Sequence, residues 1–231
     1  GTQYMLRIAR QWDSLRVPAT LQLFDAAIDE EGFPFVCRAL PEGANIQRQA
    51  LTTGGSLPIR DVLWVMDNVL ALLEQGHVRG LAHGDLRPQH IWLSQERQVA
   101  VTGMGIAELV RHCHENPMRR PDALRYLAPE LQELRNAPTP SSDIYALGVI
   151  GKELLEAEAR NPRQGTHVSE VALLLEGIMP ACHASAEARF PDARAFRLAL
   201  RQLTARLRGG GPTQARPART AEATTSTSPA H

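Results

Sequence analysis

The side chains best placed to do chemistry lie between His83 and Gly105. The run reads His83-Gly84-Asp85-Leu86-Arg87-Pro88-Gln89-His90 and closes on Thr102-Gly103-Met104-Gly105. Asp85 is a carboxylate that could take a proton from a hydroxyl group. The imidazoles beside it suit zinc or another transition metal better than magnesium, which asks for hard oxygen ligands. Two smaller groups compete for attention. His112-Cys113-His114 could ligate a metal, but adjacent residues of an extended loop point to opposite sides and no fourth ligand follows. Arg119 and Arg120, with Arg111 and Arg125, could receive a phosphate, although a solvated basic loop is the simpler reading. Trp64 and Trp92 read as packing residues.

These residues need a scaffold, and hydrophobic spacing supplies one. Residues 4–15 place Met5, Ile8, Trp12 and Leu15 on one face of an amphipathic helix that stops at Val17-Pro18. Two short strands follow at 19–28 and 33–40, joined by the acidic turn Asp29-Glu30-Glu31-Gly32. Residues 44–57 read as a loop broken by Gly54-Gly55. The clearest helix covers 58–75, with Pro58 in its first turn and a stripe from Val62 to Leu73. Short strands at 91–93 and 99–101 flank a polar turn, and 104–127 reads as a long surface loop. Pro138-Thr139-Pro140-Ser141-Ser142-Asp143 is a turn with a capping signature ahead of a buried helix over 144–157. Helices over 167–179 and 191–208 complete the ordered chain, while 209–231 is rich in Gly, Pro, Thr and Ser and is expected to be disordered.

Composition narrows the function. The chain has 231 residues, 43% of them hydrophobic, and balances 25 basic against 25 acidic side chains. A formal charge of zero argues against nucleic acid or an anionic membrane surface as the main partner. Three separated cysteines argue against a disulfide framework and fit a reducing cytoplasm. No apolar run is long enough to span a membrane.

The motifs together resemble a eukaryotic-type protein kinase, most like the bacterial Ser/Thr kinases. His83, Asp85, Leu86 and Pro88 match the catalytic loop, and Gly103-Met104-Gly105 stands where the family has Asp-Phe-Gly. Tyr126-Leu127-Ala128-Pro129-Glu130 matches the segment ending in Ala-Pro-Glu. Ser142-Asp143-Ile144-Tyr145 matches the start of the central buried helix, and Ala188-Arg189-Phe190-Pro191 the arginine ahead of the last one. The resemblance implies an α+β protein kinase-like fold: a mainly helical large lobe over 47–208 and a reduced small lobe over 1–46. The Gly-rich strand pair and the strand bearing the family's lysine are not among these 231 residues. It further implies that Asp143 hydrogen-bonds the catalytic-loop backbone and that Glu130 pairs with Arg189.

Against the parts that phosphoryl transfer requires, the same alignment reads as a loss. Ile8 stands near the position of the helix glutamate that would pair with the missing lysine. Gly84 replaces the arginine beside the catalytic aspartate, His90 the metal-binding asparagine and Gly103 the metal-binding aspartate. Ala123 replaces the threonine that would contact the catalytic Asp, and 103–130 contains no Ser or Thr to phosphorylate. The helix that usually helps dock substrates also has no room, since only about a dozen residues separate the buried helix from the one starting near His167. The expectation is a catalytically inactive, cytoplasmic pseudokinase with a vestigial Asp85, no Mg-ATP, no bound metal and no direct membrane insertion. It would act by binding another protein or further domains of a longer chain, with self-association possible along the exposed edge of residues 33–40. The alternative is an atypical kinase or nucleotide sensor whose remaining strands lie upstream.

Overall fold

A computed structural model describes residues 2–15, 17–55, 57–104, 107, 121–132 and 136–209. Helix α1, Thr2–Asp13, lies across the antiparallel pair β1, Leu23–Ile28, and β2, Pro34–Arg38. Its buried positions Leu6, Ile8, Ala9 and Trp12 recur at helical spacing. Leu6 and Ala9 meet Ala26 of β1, whereas Ile8 and Trp12 turn toward the main core. The other face of the hairpin is open: Phe24, Phe33 and Phe35 are exposed.

Residues 44–57 are not the loop that the glycine pair suggested. Ala44–Asn45 forms β3, paired with β4, Ile91–Leu93, which in turn pairs with β5, Val99–Val101. Helix α2, Ile46–Thr52, starts at once. The Asn45 side chain accepts from the Arg48 amide, and Ile46 is fully buried, so a cap and one anchor form a helix too short to show periodicity.

Helix α3, Ile59–His77, is the axis of the large lobe, burying Val62, Val65, Met66, Val69, Leu70, Leu72 and Leu73. It packs against α4, Pro140–Arg160, and α6, Ala193–Gly209, with α5, Val168–Ile178, closing the far side. The helix runs through Gly76, which is there for contact with α1: a Cβ on it would meet the Trp12 indole at 2.4 Å. A capping box between Thr139 and Ser142 opens α4 four residues before the apolar run begins. Residues 161–167 join α4 to α5 without a helix. In its place, the fully buried Glu158 accepts from the Arg163 amide at 3.0 Å and the Thr166 hydroxyl at 2.6 Å. Most of 104–120 and all of 210–231 lie outside the described residues, and with them the basic loop, His112-Cys113-His114 and nearly all of the expected tail.

Candidate functional site

Two short strands and the N-terminus of α4 hold the 83–103 segment. Asp143, in the first turn of α4 and fully buried, accepts from the backbone amides of His83 and Gly84, both at 2.8 Å. His77, the last residue of α3, sits 2.9 Å from the same carboxylate through Nε2. A buried carboxylate is stable only with partners of this kind, and here they fix the loop's entry to both helices. The contribution of His77 was not legible in the sequence, where the helix reads as ending at residue 75.

The loop's own side chains face one another. A carbonyl can only accept, so the 2.9 Å contact of His83 Nε2 with the Thr102 carbonyl places the proton on Nε2. Its Nδ1 accepts from the Asp85 amide at 3.3 Å. Asp85 is gripped by Arg87: Nη2 donates to Oδ2 and Nε lies near Oδ1, both at 2.8 Å. Burial raises the Asp85 carboxyl above the ordinary range, with Arg87 foremost among the groups acting against it. Sequence reasoning passed over Arg87. A base two residues beyond a buried carboxylate was the available signal.

His90 and Gly103 occupy each other's space. His90 Nδ1 donates to the Asp85 carbonyl at 2.7 Å. Burial first, then the neighbouring His83, push this imidazole down to about 3, so at neutral pH it carries no charge. Gly103 has a φ of +83°, and a Cβ there would meet the His90 ring at 3.1 Å. Gly84, at φ +79°, is closed more tightly still, since a Cβ would fall 2.6 Å from Pro138 and 2.8 Å from Ala107. Ala123 is buried and lines, with Gly84, Asp85 and Arg87, a cavity of about 10 Å³, room for roughly one water.

The other sequence-predicted residues lie apart from this cluster. Arg189 makes a two-pronged ion pair with Glu130, at 2.7 and 2.8 Å, and also reaches the carbonyls of Ser141, His183 and Ala184. Burial pulls the Glu130 carboxyl up, but Arg189 outweighs it and leaves the group below its usual range. Ile8 is packed into the main core, on the side of α1 that meets the large lobe.

A helical lobe built around a central buried helix, a helix-and-hairpin lobe beside it, and a loop clamped by the aspartate of that helix define a protein kinase-like fold. The family model for the protein kinase domain matches residues 7–207, and the chain belongs to that family. PrkC of Bacillus subtilis, a serine/threonine-protein kinase, is 28% identical over 72% of this chain. PknA2 of Bifidobacterium longum, a probable serine/threonine-protein kinase, is 27% identical over 89% of it. The chain spans only 25% and 30% of those two proteins. Among solved structures, the PknI kinase domain of Mycobacterium tuberculosis aligns with a TM-score of 0.66 at 21% identity. That alignment covers 88% of this chain and 80% of that one, a likeness of fold. The family normally works with Mg-ATP.

Proposed function

We propose that this chain is a pseudokinase: a kinase-like domain that no longer transfers phosphate and instead acts as a protein-binding, scaffolding or allosteric module. The observation that carries the reading is the mutual filling of Gly103 and His90. Magnesium bound to nucleotide phosphates needs oxygen ligands from the protein. Position 103 has no side chain, a Cβ there would crowd the His90 ring at 3.1 Å, and position 90 offers an uncharged imidazole whose Nδ1–H is committed to the Asp85 carbonyl. The residues present do not fit Mg-ATP in the family's manner. Arg87 occupies the Asp85 carboxylate that would have to receive a proton. Partners would come from other proteins or from further domains of a longer chain. The open edge of β2, with Phe33 and Phe35 exposed beside it, is a place for self-association.

One observation favours the second reading, an atypical kinase or a nucleotide sensor. Asp85 is an ionisable group with a burial-raised pKa at the position of the family's base, and perturbed carboxyls cluster at functional sites. A thermal-shift series separates the two. Silence predicts the same melting temperature with ATP plus MgCl₂, ATP plus MnCl₂ and ATP plus EDTA. A metal-dependent rise of several degrees that disappears in Asp85→Asn would sink the pseudokinase reading. A rise insensitive to EDTA would identify a sensor.

A further inference from the structure

Lined by none of the residues clustered around Asp85, a groove of about 1000 Å³ runs between the N-terminal half of α3 and the C-terminal half of α6. Its volume is that of a recognition site rather than a packing defect. Ile59, Leu63, Leu200 and Leu207 contribute an apolar floor. Around them stand Arg60, Arg97, Arg163, Arg201 and Arg208, against two carboxylates, Asp67 and Glu170. Counting Asp61 and Glu158, which these arginines touch, the balance is five positive charges against four negative, an excess of one in a chain whose total charge is zero. The arginine end is the more exposed side of the Arg60, Arg97 and Arg201 pairs. Several of these arginines have local duties: Arg201 pairs with Asp67 and Arg163 with Glu158. Arg60, 3.7 Å from Asp61, and Arg208 are both exposed.

Arg97 is the telling residue. It sits in the turn between β4 and β5 at φ +63°, among the described residues the one side chain other than glycine's absence in the left-handed region. Glycine or asparagine would adopt that conformation at lower cost. Its backbone is held there by α3, where the Trp64 indole N–H donates to the Arg97 carbonyl at 2.7 Å. The guanidinium lies over the Trp64 ring, 5.3 Å from its centre, and also reaches Asp61 at 3.3 Å. Such conformations, held by several contacts, are enriched at functional sites. The result is a rigid cation on an aromatic platform at the rim of a basic, apolar-floored groove.

We infer that this groove is a docking site for an acidic, amphipathic peptide segment of a partner protein, its apolar side chains on the leucine floor and its carboxylates against the arginines. Charge sets the choice of occupant. The chain's own residues 210–231 carry Arg216 and Arg219 against the single acid Glu222, and so do not complement the groove. The inference goes beyond the pseudokinase reading and does not depend on whether Asp85 is silent.

The test uses the full chain and a fluorescein-labelled amphipathic peptide with glutamates on one face and leucines on the other. Its glutamine twin and vesicles of three parts phosphatidylcholine to one part phosphatidylserine serve as the other arms. Anisotropy should show saturable binding of the glutamate peptide, weakened by raising NaCl from about 50 to about 300 mM. The double variant Arg97→Gly/Arg208→Glu should bind roughly tenfold more weakly. Its melting temperature should fall only slightly, since the relief glycine brings to the turn offsets the lost Arg97 contacts with Trp64 and Asp61, and Arg208 is exposed. Equal binding of the glutamine twin, no saturation by about 1 mM peptide, indifference to the double variant, or capture by the vesicles in place of the peptide would each overturn it. None of these outcomes touches the ATP series, so the two readings fail separately.

Discussion

At the scale of single residues, the candidate site is shaped by side chains that crowd or hold one another in pairs. Gly103→Asp should destabilise the fold by about 2 kcal/mol, because it adds a side chain in the left-handed region against the His90 ring. The double variant Gly103→Asp/His90→Asn should recover the part due to the ring, read as the difference between two urea-unfolding midpoints. Asp85 and Arg87 form a second pair. Removing one partner of a buried ion pair leaves a charge in low dielectric, so Asp85→Asn should cost about 3 kcal/mol. Adding Arg87→Met should return most of it. Equal costs for the single and double variants would show that the carboxylate is valued for something other than its partner. Positions 84, 90, 103 and 123 could be picked out in the sequence because a motif frame surrounds them. What closes the space beside Gly84 was not, since Pro138 and Ala107 reach it only through the tertiary fold.

Among the elements, long amphipathic ones were readable and short ones were not. Helix α3 buries a stripe that its spacing declares, whereas α2 spans two turns and depends on Asn45 and Ile46. Strand β3 has two residues and exists because β4 lies alongside, a contact no local pattern encodes. The capping signature at 138–143 was legible and does more than start a helix. By opening α4 at Pro140 it sets Asp143 one turn in, where its carboxylate meets the His83 and Gly84 amides. Thr139→Ala should therefore cost about 1 kcal/mol as a lost cap. It should also speed hydrogen exchange at those two amides more than elsewhere in the large lobe. Uniform acceleration would mean that the cap acts on global stability alone.

For the molecule as a whole, the long-range ties are arginine–carboxylate pairs, and they set its response to acid. Glu130 is held by Arg189, and Asp67 by Arg201 and Arg197 from α6. In both, burial works against ionisation but the arginines prevail and leave the carboxyl below its ordinary range. A depressed folded-state pKa stabilises above the unfolded value and is lost as pH falls through the folded one. Unfolding free energy should thus hold from neutral pH down to about pH 4 and decline below it. Asp85, raised in the fold, contributes the opposite slope in its own titration range. Denaturant unfolding of Asp67→Asn/Glu130→Gln should give a flatter acid limb. An unchanged limb would assign acid sensitivity to other carboxylates.

The stack of Arg97 on Trp64 also has an optical consequence. The chain has three tryptophans. Trp12 is fully buried against Gly76, and the Trp92 indole N–H is shut inside the fold, while Trp64 is 42% exposed. Acrylamide should therefore quench one emitting population readily and leave the others bright. Because the accessible indole carries the guanidinium on its face, its emission reports locally on the groove rim, and the chain needs no attached dye to reveal when that rim is covered.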